Sequence, residues 1–386
     1  DFLVSKQFIK PVFNIVNQFQ NNSDIYYIGM MLLNRLFVES KEIQNHLRNG
    51  WDKLDPVVIQ GGTPFLAIHK TEVIQLMWHG LNHYCYSNPK TCIASCFMVW
   101  RLLYYNCIPE HEVSAFIDSF GSKFRRLWES TDDIDVKIGI LQVLRQILAI
   151  RKISTTNNLV HIAIEHDFLS YAYKCIKQYY DANKPRIIQA SFEFLAGLSV
   201  HEQIAIQLTQ DPDWIVAEDS MNCLSHPDYR NNPSVQHSVL WLLGRLIDTN
   251  QNMKVFTELL CSLGLIQHIF QNIFPKYANS SYQTACNTAA SALLVMVPYA
   301  SVRITLFRMD GLEKLVTIAK KILETNETLL LNILLVIRAC CNVSSYAKEV
   351  SIMLKVPQLV SVACMKFSKL QARSEIRELI NTLLPD

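Results

Sequence analysis

The residues with the most obvious capacity for chemistry cluster in one stretch of the sequence, at His79, His83, Cys85, Cys92 and Cys96. His79 and His83 are one helical turn apart, a spacing found in helical zinc sites, and Cys92 and Cys96 share that spacing. No Cys-x-x-Cys pair accompanies them, and the two pairs fall on consecutive predicted helices. The pattern favours buried cysteines beside surface histidines, and we predict neither a metal nor a cofactor.

The short motifs that mark common active sites are missing. The sequence has no glycine-rich phosphate loop, no Gly-x-Ser-x-Gly turn and no His-Glu-x-x-His helix. The Asp and Glu residues are scattered, as is typical of helix caps and loop charges. We therefore predict a protein that is not an enzyme, with no catalytic residues and no small-molecule substrate.

Two Trp-containing phrases and one Asn could bind a peptide. Trp78 and Asn82 are four residues apart, so on a helix they present an apolar wall beside an amide that can donate to and accept from a peptide backbone. Trp241 and Arg245 share the spacing, with a guanidinium suited to a carboxylate. Asn342 offers an amide without a Trp. These five are the predicted peptide-binding residues; the alternative is that the tryptophans are core residues.

The composition indicates the elements that must carry these residues. Of 386 residues, 50% are hydrophobic and 18% are charged, while only 11 are Gly and 13 are Pro. A chain so poor in turn-forming residues is expected to consist mainly of long helices. Its net charge of +2 argues against nucleic-acid binding driven by bulk electrostatics.

The cysteine pattern and the apolar runs bear on the compartment. Eleven Cys are scattered along the chain without a repeated spacing, which favours reduced thiols in the cytoplasm or nucleus. The longest apolar runs, 288–300 and 328–337, are shorter than the roughly 18–20 residues of a membrane span. Because the chain opens at Asp1 without a Met or an apolar leader, we expect a fragment of a longer protein.

A recurrent turn position indicates an internal repeat. The turn residues recur at intervals of 45 to 51 residues, close to the period of armadillo and HEAT arrays, and apolar residues at helical spacing follow each one. We predict an all-α fold, a right-handed α-solenoid of about seven to nine repeats, as a single domain over 1–386. The repeat is clearest in 110–365 and irregular before it. The turn residues are Gly121, Asp167, Asp213, Gly264, Gly311 and Val356.

The phrases within this frame resemble armadillo repeats of the importin-α and β-catenin kind, over about residues 25–365. Trp78-x-x-x-Asn82 is similar to the Trp-x-x-x-Asn that importin-α carries on its inner helices; Trp241 has Arg245 in place of the Asn, and Asn342 lacks the Trp. The resemblance implies a concave surface on which the Asn holds a peptide backbone and the Trp walls a side-chain pocket.

Four functions follow from these expectations. The first is a non-enzymatic scaffold or adaptor that binds a protein partner, as an extended peptide or a helix, on the concave surface. The alternatives are a divergent importin-α-like import adaptor with acidic groove residues, a substrate receptor of a ubiquitin ligase, and a structural subunit of a large assembly. The last predicts aromatic patches on the convex face around Tyr26, Tyr27, Tyr179 and Tyr180. The basic residues Lys123, Arg125 and Arg126 are expected on a solvated helix face, with Phe124 and Trp128 turned inward.

Overall fold

The computed structural model describes residues 9–39, 70–85, 87–104, 121–149, 160–250, 253–278, 282–367, 370 and 373–384. Within these ranges all regular structure is helical, which confirms the predicted all-α class. The chain divides into two compact units, unit 1 over residues 1–174 and unit 2 over residues 175–386. That all of 1–386 forms one repeat domain stays a prediction.

Unit 1 is built from helix pairs. Its helices are α1 (Ile9–Gln18), α2 (Ser23–Glu39), α3 (Lys70–Tyr84), α4 (Pro89–Tyr104) and α5 (Ile134–Ala149), with a further helical segment at 121–130. Helices α2, α4 and α5 pack side by side in a row, α1 packs against α2, and α3 packs against α4. The row and the helices packed on it form two layers.

Unit 2 repeats a three-helix pattern. Helix α6 (Phe168–Tyr179) contains the boundary between the units. The others are α7 (Pro185–Leu198), α8 (Glu202–Gln210), α9 (Val216–Ser225), α10 (Pro233–Thr249), α11 (Lys254–Ser262), α12 (Leu265–His268, continued by a π-helical turn at Ile269–Ile273 and by Phe274–Tyr277), α13 (Gln283–Met296), α14 (Ala300–Arg308), α15 (Gly311–Ile322), α16 (Glu327–Val343), α17 (Ser345–Met353), α18 (Val356–Lys366) and α19 (Ser374–Leu383). One helix of each repeat packs side by side with its counterpart in the next, in the order α7, α10, α13, α16 and α19, and two helices precede each one from α10 onward.

Left-handed residues mark the turn between the first and second helix of three repeats in unit 2. Gly264, Asp310 and Lys355 have φ values of 90°, 54° and 61°, and each is followed at once by the second helix. Asp167, with a φ of 59°, stands in the same way before α6. The predictions at Gly264 and Asp167 are confirmed, and two others lie one residue late.

Two predicted turns remain. Gly121 is the first described residue of the helical segment at 121–130, and Asp213 lies in a turn of a different kind. Asp213 is not left-handed, because the chain there uses a longer connection between α8 and α9, at 211–215. Its backbone N–H is held by the side chain of Asp211 at 3.0 Å. An Asp side chain that binds the backbone two residues on makes a turn of its own, so no left-handed residue is required.

Burial corrects the predicted aromatic patches. Tyr26 is 0% exposed and Tyr179 is 8% exposed, so the prediction of surface patches is wrong for these two tyrosines, whereas Tyr27 is exposed. Tyr26 donates its hydroxyl hydrogen to the carbonyl oxygen of Leu76 at 2.8 Å. This hydrogen bond allows the phenol to be buried. The inward packing predicted for Phe124 and Trp128 is confirmed.

The described cysteines are free thiols, and all of them are buried except Cys364, which is partly exposed. Cys107 lies outside the described residues. Within the described part of the chain, no helix is both long and apolar enough to cross a bilayer.

Candidate functional site

Helix α10 carries one of the two predicted Trp phrases and has a well-defined start. The side chain of Asn232 caps it by accepting hydrogen bonds from the backbone N–H groups of Ser234 and Val235, at 3.1 and 3.2 Å. Pro233 occupies the first turn, where its missing N–H costs nothing. The capped start fixes where α10 begins and therefore which of its residues face solvent.

A groove lies between α10 and α13 on the exposed face of the row. It forms where Gly244 meets Ala292: a Cβ at Gly244 would lie 3.5 Å from the Cα of Ala292, so both positions fill little space. The groove has a volume of about 390 Å³. It is lined by His237, Leu240, Trp241, Gly244, Arg245 and Asp248 of α10, and by Asn287, Thr288, Ser291, Ala292 and Val295 of α13.

Trp241 forms the aromatic wall. Its ring lies nearly parallel to that of His237, with 6.2 Å between centroids and 6° between planes. Thr288 donates its hydroxyl hydrogen to the Thr284 carbonyl at 3.0 Å, so it accepts from Nδ1 of His237 at 2.7 Å. This hydrogen bond ties the aromatic wall to the opposite helix and holds the groove in shape.

Charge at the groove is confined to one ion pair. Nη1 of Arg245 lies 3.9 Å from Oδ2 of Asp248, and both side chains are well exposed. An exposed pair of this kind is weak, about 0–1 kcal/mol. The predicted residue Arg245 therefore lies at the groove beside its own counter-charge.

Asn287 is a groove residue that the sequence analysis missed. Its Oδ1 atom is buried and has no hydrogen-bond partner among the described residues. Asn287 precedes Ser291 by four residues, so both lie on one face of α13. The available signal was this i, i+4 polar spacing in the repeat that follows Trp241, but a spacing gives no warning of an unpaired acceptor.

The exposed face continues onto α16. Nδ2 of Asn332 donates to Oγ of Ser291 at 3.4 Å, which places Asn332 beside the far edge of the groove. Helical steps of three and four residues lead from Asn332 through Leu335 and Ala339 to Asn342, which is exposed. Asn342 thus lies on the same face of unit 2 as the groove, but beyond it.

The other predicted phrase lies elsewhere. Trp78 and Asn82 are on α3 of unit 1, which packs against α4 and is not a member of the row α2–α4–α5. This differs from the expectation that they share the inner helix type. Asn82 is exposed, and its Oδ1 accepts a hydrogen bond from Nζ of Lys123 in the neighbouring helical segment at 2.6 Å. Peptide binding by Trp78 and Asn82 stays a prediction.

The His and Cys cluster packs within unit 1. The rings of His79 and His83 stack with 5.1 Å between centroids, and burial together with His83 lowers the pKa of His79. The hydrogen bond with Cys92 and burial hold the pKa of the Cys85 thiol above its usual range. Among the residues that the structure describes, no three His, Cys, Asp or Glu side chains are placed to hold a metal ion.

Comparison with known proteins identifies the type of fold. No family model matches the chain, and no curated protein matches it. Among solved structures, an engineered protein (Northeast Structural Genomics Consortium target OR497) is 12% identical, with a TM-score of 0.59 over 97% of this chain and 82% of its own. A second engineered protein, target OR366, is 14% identical, with a TM-score of 0.53 over 67% of this chain and 98% of its own. A third, target OR329, is 11% identical, with a TM-score of 0.51 over 70% of this chain and 96% of its own. These neighbours are helical repeat proteins, and they show that this chain has a helical repeat fold.

Proposed function

We propose that this protein is a non-enzymatic interaction scaffold of the armadillo type, acting in the cytoplasm or nucleus. Its groove between α10 and α13 would bind an extended peptide segment of a partner protein. A row of long helices with a Trp wall on one member and a free amide on the next supports this proposal.

The unpaired acceptor of Asn287 is the observation that carries the proposal. A buried acceptor without a partner costs about 1–3 kcal/mol. An extended peptide presents an N–H or a C=O at every residue, and an Asn side chain can accept from the first and donate to the second. Because Oδ1 of Asn287 is buried, the side chain would rotate toward the groove to accept from a bound backbone, and this would satisfy Oδ1 whatever the peptide's side chains.

Trp241 would provide the apolar contact. Large aromatic side chains that border a pocket often dominate binding, and their truncation typically costs about 2 kcal/mol or more. The floor beside Trp241 is formed by Leu240, Gly244 and Ala292, which offer no hydrogen-bonding side chains. One large apolar side chain of the partner fits such a floor.

Selection of random peptides of about 12 residues, displayed on phage, against immobilised protein tests the proposal. Wild type would be compared with Trp241→Ala and Asn287→Ala, and Trp78→Ala provides the matched control, since it makes the same substitution on α3. Circular dichroism melts would establish that each variant is folded. We expect peptides that bind wild type and Trp78→Ala but bind the two groove variants at least about tenfold more weakly.

Two results would contradict the groove as the binding site. One is the enrichment of peptides that bind all four proteins equally. The other is a selection on folded wild type that enriches no peptide at all.

A further inference from the structure

The groove face of unit 2 is nearly free of charge. Helix α13, which forms one wall, contains no Asp, Glu, Lys or Arg. The charged residues of helix α16 are Glu327, in its first turn, and Arg338. Arg338 pairs with Glu378 of α19, so its charge is already compensated. An almost uncharged surface across two adjacent exposed helices contrasts with the mixed charges typical of a solvated protein surface.

The charges of α10 also cancel each other. Arg245 and Asp248 are three residues apart and lie within ion-pair distance at 3.9 Å. A partner residue of either sign would meet one member of this pair with attraction and the other with repulsion. The pair therefore gives little preference for an acidic or a basic ligand.

Amide and hydroxyl groups take the place of charge along this face. We define the neutral stripe as Asn287, Thr288, Ser291 and Asn332; Asn342 lies ten residues along α16 from Asn332, about 15 Å away, and is not part of it. Asn287 makes no side-chain hydrogen bond with the described residues, and the bond from Asn332 to Ser291 is long at 3.4 Å. The amides of Asn287 and Asn332 and the hydroxyl of Ser291 can bond to a backbone or to another neutral polar side chain, whereas the Thr288 hydroxyl is engaged by Thr284 and His237.

The spacing of the row sets the length of the segment. Packed helices are about 8–10 Å apart, so crossing from α10 to α16 covers roughly 20 Å. An extended chain advances about 3.3 Å per residue, and six residues span that distance.

We infer that the segment bound by this face is an uncharged extended stretch of about six residues. One large apolar side chain lies against Trp241, and small, hydroxyl or amide residues follow along the neutral stripe. This inference rests on the proposed peptide-binding function. A charged residue at the centre of the segment would lose hydration without gaining a free counter-charge, which is costly.

The peptides enriched on wild type provide the test. Their affinities would be measured by fluorescence polarisation from about 0.1 M to about 1 M NaCl, over which the Debye length falls from about 10 Å to about 3 Å. We expect uncharged sequences whose Kd changes by less than about twofold over that range. Placing a single Lys or Asp at a central position should weaken binding at least about fivefold.

The outcomes separate this inference from the proposed function. Groove-dependent peptides that are rich in Lys or Asp, and whose affinity falls about tenfold or more in salt, would overturn the neutral class while leaving the scaffold function in place. Failure to enrich any groove-dependent peptide would overturn both.

Discussion

The phrases Trp78–Asn82 and Trp241–Arg245 are similar in sequence and both are helical, yet their surroundings in the structure differ. Both contain a glycine, but Gly80 is two residues after its Trp and Gly244 is three residues after. Residues three apart share a helix face, whereas residues two apart do not. Gly244 therefore opens space beside Trp241, while Gly80 points away from the face of Trp78.

The two glycines are used in opposite ways. In unit 1 the space at Gly80 is filled by the hydroxyl groups of Tyr26 and Ser95, which hydrogen bond to each other at 2.8 Å. In unit 2 the space at Gly244 stays open as the floor of the groove. A shift of one residue along the helix distinguishes a glycine that neighbouring side chains pack against from one that borders a groove.

Alanine at each glycine gives the largest expected contrast. At Gly80 a Cβ would lie 2.0 Å from the Tyr26 hydroxyl oxygen and 2.1 Å from Oγ of Ser95, so Gly80→Ala should destabilise the protein by about 4 kcal/mol through overpacking and a lost buried hydrogen bond. Gly244→Ala meets only ordinary contacts and should stabilise by about 0.5–1 kcal/mol. Urea denaturation followed by circular dichroism measures both, and equal effects would show that the two glycines are equivalent.

The two regions should lose stability to different extents at acid pH because their histidines are buried to different degrees. His268 packs beneath α10, with Nε2 at 2.8 Å from Oε1 of the buried Gln236, and burial lowers its pKa to about 4. The unfolded state, with a pKa near 6.5, then binds the proton more readily. The stabilisation from neutral His268 is full above about pH 6.5 and is lost as the pH falls towards 4, about 3 kcal/mol in all.

His268→Gln provides the control for this pH dependence. Between pH 7 and 4 its stability should fall by about 3 kcal/mol less than that of wild type, because the substituted side chain does not titrate. Identical slopes for the two proteins in urea titrations would contradict this account. His79, which is more exposed, should contribute a smaller slope of the same sign.

The buried hydroxyl groups of two tyrosines should contribute equally to stability, in contrast to the two glycines. Tyr26 donates to the carbonyl of Leu76, and Tyr229 donates to the carbonyls of Tyr179 and Tyr180 at 3.0 and 2.8 Å. Each hydroxyl leaves an acceptor unpaired when it is removed. Tyr26→Phe and Tyr229→Phe should each cost about 1.5 kcal/mol in thermal or urea unfolding. A loss of stability in only one of the two variants would show that the other hydroxyl contributes nothing to stability.

The polar ends of the two phrases should have the smallest effect on stability. Asn82 bonds to Lys123 and Arg245 pairs with Asp248, in both cases at the exposed surface. Asn82→Ala and Arg245→Ala should each change the free energy of unfolding by less than about 0.5 kcal/mol. A cost above about 1 kcal/mol at Arg245 would mean that the residue supports the fold as well as the groove.

Much of the fold was predictable because it depends on local rules. The shortage of Gly and Pro predicts helices, and the recurrence of turn residues predicts the repeat, which Gly264 and Asp167 confirm with left-handed backbones. At Asp310 and Lys355 the left-handed residue is not glycine, so the prediction falls one position late. The short polar side chain of Asp310 suits this conformation, whereas Lys355 adopts it at a cost of roughly 1–2 kcal/mol, and composition gives no sign of either.

The site was predictable in part. Trp241 and Arg245 were identified by their i, i+4 spacing, and the structure places both at the groove. Asn287 was missed because its importance comes from an acceptor that no neighbour satisfies, which depends on the residues of another helix. The position of Trp78 and Asn82 on α3, outside the row of unit 1, was also missed, because it depends on how α3 packs against another helix.

The sequence by itself determined the helices, the repeat and the relative orientation of side chains within each helix, because these follow from backbone geometry over three or four residues. Only the tertiary structure decided how each helix is rotated against its neighbours. That rotation is set by packing with side chains about 50 residues away, as when Tyr26 reaches Leu76. It makes Trp241 the wall of a groove in unit 2 and leaves Trp78 on a helix outside the row of unit 1.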